Sequence, residues 1–423
     1  MDRLINLAKK LYPINRSITG KGINLTLKII KKQYLPNLKI KKIKSGTKVF
    51  DWKIPPEWNI KDAFIKDETR KKIVDYKKNN LHIVAYSKKI NKYVSRKELE
   101  KHLFSIPKKP YAIPFMTSYY KPFWGFCLSH KERKKMKGKR FFVNINSNLN
   151  YKGHLSYGEL YLKGKSKKEI LLTTYVCHPS MANNEISGPV VSTYIAKHFQ
   201  KNKNRYSMRF IFVPETIGSI AYINKNFKNL KKNVIASYNL TCIGDERNYS
   251  LIFSKYGNAL SDLTAVQAFK KLKIKYKKYS YLQRGSDERQ FNSPGVDIPM
   301  TVLMRTKFGS YPEYHTSLDN FNVVTEKGLK GGYKVVKKII FLLQNKILPI
   351  SKVTCEPMMS KRKLKPTIST GGINENTKNI SNFITYSDGN NDLERIGSLI
   401  NLSKNKTNKI FNFLKKKKLI KEI

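Results

Sequence analysis

The hydrophobic pattern of residues 166–348 alternates between short apolar runs and longer amphipathic segments. The continuous apolar runs, which are typical of strands buried on both faces, are EILLTTYVCH, SMRFIFVPE, NVIASYNLTCIG and VDIPMTVLM. The segments with apolar residues at helical spacing are SGPVVSTYIAKHFQ, GSIAYINKNFKNL, NALSDLTAVQAFKKL and the long NFNVVTEKGLKGGYKVVKKIIFLLQNKI. This alternation predicts an α/β fold in which helices flank both faces of a mostly parallel sheet.

The chain before residue 166 has a different pattern. Residues 1–35 predict two helices joined by a turn rich in turn-forming residues. From about residue 38 the chain consists of short aromatic and β-branched runs, such as LHIVAYS and KRFFVNINS, which are typical of strands. We therefore predict a discontinuous α/β domain over residues 1–37 and 131–348, interrupted by a β-rich inserted domain over residues 38–130.

The last segment, residues 349–423, predicts a linker followed by a small helical domain. TISTGGINENTKN shows little order, and SNFITYSDGN predicts a strand or turn. NDLERIGSLINLS and NKTNKIFNFLKKKKLI predict a helix-turn-helix that is completed by a short strand, as in a winged-helix domain. Such a domain either binds nucleic acid or packs as a structural module. We favour the packing role because base-reading side chains are not evident.

The composition supports a folded core and bears on the choice of partner. Hydrophobic residues make up 40% and aromatic residues 12% of the 423 positions, which excludes a disordered chain. The net charge of +55 invites a nucleic-acid interpretation. However, the lysines are spread along the whole chain and outnumber the arginines, whereas a binding footprint would cluster basic and aromatic residues. We therefore expect a solvated surface and no nucleic-acid partner.

The sequence also carries expectations about the compartment. No segment approaches the roughly 18 consecutive apolar residues of a membrane span, and the first residues lack the pattern of a secretory signal. Four cysteines lie far apart without CxxC spacing, which points to free thiols in a reducing compartment. We expect a cytoplasmic protein without a membrane span.

Polar residues flank the predicted strands at one end. His178 follows the first strand, Glu215 follows the second, and Asp287 and His315 lie on either side of the fourth. The carboxyl ends of parallel strands meet at one edge of a sheet, and imidazole and carboxylate groups both suit Zn²⁺. The pattern therefore predicts a zinc site. Taken singly, His178 is also explained as a core histidine, Asp287 as a helix N-cap and Glu215 as a charge favoured at a helix N-terminus.

The motifs around these residues resemble a known family. They are CHPSMANNEISGPVV, PETIGSIAY, NLTCIGDER, RGSDERQF with SPGVDIPM, and YPEYHTSLDN. Together they resemble a bacterial aminopeptidase-like family related to the co-catalytic zinc aminopeptidases, and NRSITGKG and LSYGELYLKGKS are similar to its signatures as well. The resemblance covers nearly the whole chain. It implies the zinc-aminopeptidase α/β fold, a β-rich insert and a C-terminal winged helix.

The resemblance also implies a set of metal ligands. His178 and Asp287 match ligands of the first metal, and His315 matches a ligand of the second. Asn184 stands where the aminopeptidases have an aspartate that bridges both metals, and a neutral amide is a poor bridging group. The resemblance therefore implies one zinc ion, with two as the alternative and Asn184 as a further candidate ligand. Ser180 replaces the aspartate that orients the first histidine, which predicts weaker support for His178.

The remaining candidate residues concern catalysis and substrate binding. Glu215 stands where the aminopeptidases have two glutamates, so it is a candidate either for the base that takes a proton from water or for a metal ligand. Glu185, next to the position of the bridging aspartate, is expected to turn away from the site. The candidate substrate-binding residues are Asp245, Arg284, Glu288, Arg289 and Tyr314. The two arginines suit a carboxylate or another acidic group.

These observations favour a zinc-dependent aminopeptidase-like hydrolase acting on a small-molecule, peptide or glycan-linked substrate. The resemblance further implies a role in surface polysaccharide metabolism. The alternatives are a catalytically degenerate binding protein with the same fold and a winged-helix protein associated with nucleic acid. Trp52, Trp58 and Trp124 are explained more simply by burial in the insert than by stacking on a sugar. The substrate and the formation of a homo-oligomer stay open.

Overall fold

The computed structural model describes residues 3–362, 364 and 374–423. It divides the chain into two compact units, Met1–Ile339 and Ile340–Ile423. The first part of the predicted low-order stretch, residues 367–373, lies outside the described residues. Within the described part of the chain, no helix is long and apolar enough to cross a membrane.

Helices and strands follow one another along the whole described chain. The α-helices are α1 (Leu4–Leu11), α2 (Lys21–Gln33), α3 (Arg96–Glu100), α4 (His130–Lys135), α5 (Ser187–Phe199), α6 (Ile217–Asn233), α7 (Leu260–Leu272), α8 (Glu288–Phe291), α9 (Glu326–Gln344), α10 (Glu375–Thr385), α11 (Leu393–Leu399) and α12 (Lys404–Lys416). The strands are β1 (Lys39–Lys44), β2 (Lys48–Val49), β3 (Trp52–Lys53), β4 (Glu57–Lys66), β5 (Lys72–Asp75), β6 (Ile90–Ser95), β7 (Leu103–Phe104), β8 (Phe126–Cys127), β9 (Arg140–Asn150), β10 (His154–Leu162), β11 (Ser166–Tyr175), β12 (Tyr206–Val213), β13 (Val234–Leu240), β14 (Ser250–Ile252), β15 (Lys277–Tyr279), β16 (Met300–Met304), β17 (Pro349–Ser351) and β18 (Ile420–Glu422).

The first unit is built on an eight-stranded sheet with the order β1-β10-β12-β11-β13-β16-β14-β15. The central strands β12, β11, β13 and β16 run parallel to one another, and β1 and β10 add an antiparallel edge. Helices α5, α6 and α7 pack on these central strands. The prediction of an α/β fold with a mostly parallel sheet flanked by helices is confirmed.

The apolar runs form central strands because both of their faces are covered. Ile170, Leu171 and Leu172 follow one another along β11, and all three are fully buried. Successive side chains of a strand point to opposite faces, so apolar groups cover this strand from both sides. Helix α5 approaches the sheet so closely that a Cβ atom on Gly188 would lie 2.3 Å from the carbonyl oxygen of Leu240. Only glycine permits this approach.

A second sheet of four strands, with the order β5-β4-β9-β6, lies within the β-rich segment. Its longest pairing joins β4 and β9 in antiparallel register, from Glu57 opposite Asn150 to Lys66 opposite Phe142. Strand β9 belongs to this sheet although it follows residue 130, whereas β1 belongs to the large sheet although it follows residue 38. Sheet membership therefore does not follow the predicted boundaries of the insert.

The second unit has the arrangement of a winged helix. Helices α10, α11 and α12 surround a core that includes the fully buried Phe383, Ile396 and Leu414, and β17 pairs with β18 as an antiparallel ribbon. The segment SNFIT, predicted as a strand or turn, is instead the last part of α10. Ile380 and Phe383 of α10 both face the core at helical spacing, so tertiary packing decided the conformation.

Candidate metal and catalytic site

The candidate site lies at the carboxyl end of two parallel strands. Strand β11 ends just before His178, and its parallel neighbour β12 ends just before Glu215. The two side chains therefore emerge at the same edge of the sheet. The Nε2 atom of His178 lies 3.5 Å from Oε2 of Glu215. The structure thus brings together two residues that the sequence predicted to meet.

A buried carboxylate orients His178 from the other side. The Nδ1 atom of His178 lies 2.7 Å from Oε2 of Glu185, and Nε of Arg16 lies 3.9 Å from the second carboxylate oxygen. Arg16 also donates a hydrogen bond of 3.1 Å from Nε to the carbonyl oxygen of His178. Because a carboxylate engages one imidazole nitrogen, the other nitrogen is presented in a fixed direction. The expectation that Glu185 turns away is therefore wrong, and Glu185 supplies to His178 the carboxylate that the sequence lacks at Ser180.

Burial and neighbouring charges set the protonation of these groups. Burial opposes the charging of His178, but the hydrogen bond to Glu185 and the charge of that carboxylate outweigh it, so the pKa of His178 is raised. Burial raises the pKa of Glu185 and is only partly offset by His178 and Arg16. Burial also lowers the pKa of Arg16. His178 and Arg16 therefore favour the charged form of Glu185, against the effect of burial.

A single π-helical turn explains why consecutive side chains both reach this region. Residues Ala182–Ile186 form a π-helix at the entry to α5, and the N–H of Ile186 donates to the carbonyl oxygen of Met181 at 3.2 Å. Such turns insert one extra residue into a helix and occur often at functional sites. Asn184 and Glu185 are both buried as a result.

Asn184 is held by its backbone and by its side-chain nitrogen. Its N–H donates to Oδ2 of Asp319 at 2.9 Å, and Nδ2 donates to the hydroxyl of Tyr175 at 2.7 Å. The Oδ1 atom is buried and has no hydrogen-bond partner among the described residues. Asp319 also accepts the N–H of Asn183 at 2.7 Å, and burial raises the pKa of Asp319 to about 6. Buried polar atoms are usually paired, so the orphaned amide oxygen is available to a ligand.

Asp287 has one engaged and one unengaged oxygen. Its Oδ1 accepts the N–H of Thr216 at 2.8 Å, and its Oδ2 has no hydrogen-bond partner within the described part of the chain. Asp287 does not cap its own helix α8, because its side chain reaches the residue before α6 instead. Burial, followed by the charge of Glu215, holds the pKa of Asp287 well above its usual range. A nearby cation would relieve this penalty on the charged form.

His315 lies beside His178. The centroids of their rings are 5.6 Å apart, and the ring of Tyr314 stacks on His315 at 3.9 Å. Phe115, from the β-rich segment, contacts both histidines, with centroid distances of 4.8 Å to His178 and 5.5 Å to His315. Burial, with a contribution from His178, lowers the pKa of His315 to about 3. His315 is therefore neutral at physiological pH.

Three donor atoms of the predicted metal ligands are left free by the surrounding hydrogen bonds. His178 Nε2, Asp287 Oδ2 and Asn184 Oδ1 are not consumed by hydrogen bonds among the described residues, and nitrogen and oxygen donors of these types suit zinc. At the same site, Cys177, His178 and Glu185 have ligand atoms within 4.8 Å of one another. That trio is engaged internally, because burial raises the pKa of the Cys177 thiol and Nδ1 of His178 contacts Glu185.

Both of the predicted substrate-binding carboxylates are engaged inside the protein. Asp245 accepts hydrogen bonds from the hydroxyl and the N–H of Thr306, at 2.6 and 2.9 Å. Glu288 accepts the N–H groups of Gly285 and Ser286, at 2.7 and 3.0 Å. Both acids therefore hold the loops around the site, and a direct role in substrate binding stays a prediction.

The predicted arginines differ in how they are placed. Arg289 donates from Nη2 to the hydroxyl of Thr216 at 3.0 Å and from Nε to the carbonyl oxygen of Ser286 at 3.0 Å. These bonds hold its guanidinium beside the residue that follows Glu215. Arg284 is exposed, and its guanidinium lies 4.9 Å from the ring centroid of Tyr281.

Sequence reasoning assigned no role to several residues that shape the site. Arg16 lies in the NRSITGKG motif, which was noted only as a signature, and Asp319 lies in YPEYHTSLDN. Both motifs resemble family signatures, but neither indicates which contact Arg16 or Asp319 makes. Phe115 gave no signal, because its contact with the site crosses from a segment that the sequence predicts as a separate domain.

Comparisons with known proteins identify the family. Residues 5–346 match a family described as a domain of unknown function (DUF4910), and residues 348–422 match a winged helix-turn-helix family. A Clostridium acetobutylicum protein is 41% identical over 374 residues, which is 87% of this chain and 84% of that protein. It is provisionally named a polysaccharide biosynthesis protein with an aminopeptidase-like domain.

Solved structures show the same fold. A crystal structure from Clostridium acetobutylicum, provisionally named a peptidase, matches with a TM-score of 0.81 and 38% identity over 99% of this chain and 96% of that one. BSAP, a zinc aminopeptidase from Bacillus subtilis, matches with a TM-score of 0.57 and 14% identity over 81% of this chain and 95% of that one. An M28 peptidase precursor from Shewanella amazonensis matches with a TM-score of 0.58 and 11% identity over 84% of this chain and 95% of that one. At these identities, the last two show the fold alone.

Fold and comparisons together define an aminopeptidase-like α/β protein that carries a C-terminal winged helix, which confirms the resemblance seen in the sequence motifs. The chain belongs to the DUF4910 family.

Proposed function

We propose that the protein is a zinc-dependent hydrolase of the aminopeptidase class that works with one metal ion. The observation that carries this proposal is the orientation of His178, whose Nδ1 contacts Glu185 while Nε2 is turned toward Glu215. The unpaired buried oxygens of Asp287 and Asn184 complete a donor set for one cation. A second, bridged ion lacks support, because Asn184 carries no negative charge.

In this proposal, His178, Asp287 and Asn184 hold the ion and His315 faces the reacting group. When bound, zinc supplies a Lewis acid that lowers the pKa of water and polarises a carbonyl group. Glu215 is half-buried, and its Oε2 is the site that accepts the proton of the attacking water. Neutral His315 carries one N–H with which it stabilises negative charge on the carbonyl oxygen.

The substrate that we propose is an amide in a small molecule, a peptide or a glycan-linked compound. The aminopeptidase fold supports amide hydrolysis. The 41% identical relative carries a name that refers to polysaccharide biosynthesis, which supports a glycan-linked substrate. We therefore propose a step in surface polysaccharide metabolism in which an amide bond of a precursor or a modified sugar is cleaved.

Metal analysis combined with an amide library tests this function. We expect the purified full chain to bind about one equivalent of zinc and the His178→Ala variant to lose it. Glu215→Gln should retain zinc but lose turnover, which separates proton transfer from metal binding. The library contains aminoacyl anilides, dipeptides and N-acylated amino sugars. The proposal is wrong if the zinc-loaded protein hydrolyses none of them and His178→Ala leaves the zinc content unchanged.

A catalytically degenerate binding protein is the second candidate, and Asn184 is the observation that favours it. An amide at the position of the bridging aspartate weakens a two-metal centre, as the sequence indicates. Under this alternative, the same compounds bind to the protein without being cleaved. Isothermal titration with library members that are not hydrolysed distinguishes the two candidates.

A further inference from the structure

Two neighbouring cavities open beside the loop that carries Asp287. One has a volume of about 610 Å³ and the other of about 440 Å³. They are neighbours because Gln290, Ser293 and Pro294 line both of them. The two cavities are therefore adjacent on the same face of this loop region.

The larger cavity is basic. Lys255, Arg284 and Arg289 line it, and no aspartate or glutamate is among its lining residues. Arg289 is held by its bonds to Thr216 and Ser286, so its guanidinium is oriented before a ligand arrives. Lys255 is partly compensated by Asp297 at 3.8 Å, which leaves the two arginines as the main cationic groups. Arginine pairs with carboxylate and phosphate groups through two parallel hydrogen bonds.

Aromatic side chains and two polar residues line the smaller cavity. Phe50, Trp52 and Phe227 line it together with Asp51 and Gln290. Apolar walls that carry a few polar groups are typical of small-molecule sites. An aromatic face suits the C–H face of a sugar ring, while the carboxylate and the amide suit its hydroxyl groups.

The three tryptophans of the chain differ in exposure. Trp52 is 41% exposed, whereas Trp58 and Trp124 are only 3% and 5% exposed. The interpretation of tryptophan burial in the β-rich segment therefore holds for Trp58 and Trp124 and is wrong for Trp52. Tyr120 lies beside Trp52 with a centroid distance of 6.0 Å, and its hydroxyl donates to the carbonyl oxygen of Lys53 at 2.9 Å. The exposed indole is therefore supported by a neighbouring residue.

We propose that the two cavities form one binding groove for an acidic saccharide. The acidic group, a carboxylate or a phosphate, pairs with Arg284 and Arg289, and a sugar ring stacks on Trp52. We call this surface the Arg–Trp groove. The proposal deepens the proposed function by naming its substrate class. It rests on that function in one respect, which is that Arg289 bonds the residue after Glu215 and so places this end of the groove beside the proposed base.

The binding experiment uses the full chain and does not depend on turnover. The ligand-induced change in tryptophan fluorescence that is present in the wild type and absent in Trp52→Ala reports on the groove, because Trp58 and Trp124 are buried and common to both proteins. The probes are digalacturonic acid, N-acetylglucosamine 6-phosphate, their uncharged counterparts digalactose and N-acetylglucosamine, and inorganic phosphate. We expect both acidic saccharides, or one of them, to bind at least about tenfold more tightly than the uncharged counterpart. Comparing the affinity for digalacturonic acid with that for N-acetylglucosamine 6-phosphate shows whether the groove prefers a carboxylate or a phosphate.

Variants locate the binding. Arg289→Gln should weaken the binding of the acidic saccharide about tenfold without changing the affinity for the uncharged one. Trp52→Ala should weaken the binding of both sugars and leave the affinity for inorganic phosphate unchanged. Isothermal titration measures these affinities, because the variant lacks the fluorescent reporter. Arg140→Gln is the control, because it removes the same charge from an exposed arginine that lines neither cavity. Thermal melting checks that every variant is folded.

Three results overturn the proposal. One is equal affinity for charged and uncharged sugars, the second is inorganic phosphate binding as tightly as the sugar phosphate, and the third is no binding of any probe. Because binding is scored without cleavage, a protein that binds these sugars but hydrolyses no amide refutes the proposed function and leaves the groove standing. A protein that hydrolyses amides but binds none of these saccharides refutes the groove and leaves the proposed function standing.

Discussion

Replacing Glu185 by glutamine tests whether this buried carboxylate prepares His178 for a metal. The change keeps the volume of the side chain and an oxygen that can accept the Nδ1–H proton, but it removes the charge 2.7 Å from the imidazole. Removing a carboxylate that supports a metal-binding histidine typically weakens metal affinity about 10- to 100-fold. This corresponds to about 1.4–2.7 kcal/mol.

The same substitution leaves a buried cation without its compensating charge. The guanidinium of Arg16 lies 3.9 Å from Glu185 and is completely buried. Breaking a buried ion pair costs about 3–5 kcal/mol. Arg16 keeps its hydrogen bonds to the carbonyl oxygens of Leu11 and His178, at 2.6 and 3.1 Å. We therefore expect a loss of stability at or below the lower end of that range.

The assay is competition for zinc between the full chain and a chelating dye, with thermal melting recorded on the same samples. Glu246→Gln is the matched control, because Glu246 is a carboxylate on the surface that bonds Thr325 and Lys327. We expect wild-type zinc affinity for the control and weaker affinity for Glu185→Gln. A folded Glu185→Gln protein that binds zinc as tightly as the wild type would refute the role assigned to Glu185.

Further predictions concern metal number, pH dependence, packing and the winged helix. Asn184→Asp should raise the zinc content from about one to about two equivalents, and mass spectrometry that still finds one would contradict the account of Asn184. The Glu159 carboxylate is buried, yet bonds from Lys41 and Tyr222 and the charge of Arg209 hold its pKa below its ordinary value of 4.5. Its stabilisation is therefore present above pH 4.5 and is lost as the pH falls through the lowered pKa, so the acid unfolding curve of Glu159→Gln should be flatter than that of the wild type. Gly188→Ala should destabilise the fold by about 1–3 kcal/mol in urea unfolding, because the new Cβ would lie 2.3 Å from the Leu240 carbonyl oxygen. Duplex DNA should bind weakly and without sequence preference, and gel-shift assays that show one sequence bound far more tightly would contradict the packing role of the winged helix.

The sequence determined the fold class and the edge of the sheet on which the site lies. Continuous apolar runs such as Ile170–Leu172, alternating with amphipathic segments, predict strands covered on both faces, and parallel neighbours then carry His178 and Glu215 to the same end. Local pattern and topology were sufficient for these conclusions, because burial of apolar surface and the direction of the strands follow from the order of residues.

Only the tertiary structure decided how the site is supported. Whether Glu185 turns inward depends on a single π-helical turn, and an added residue of this kind leaves no mark in the hydrophobic pattern. The contacts of Arg16 and Phe115 join positions far apart in the chain, which periodicity does not encode. Trp52 differs from Trp58 only in the surface that surrounds it. Burial of a polar or aromatic side chain depends on what the rest of the chain packs against it, and that is settled only when the whole fold has formed.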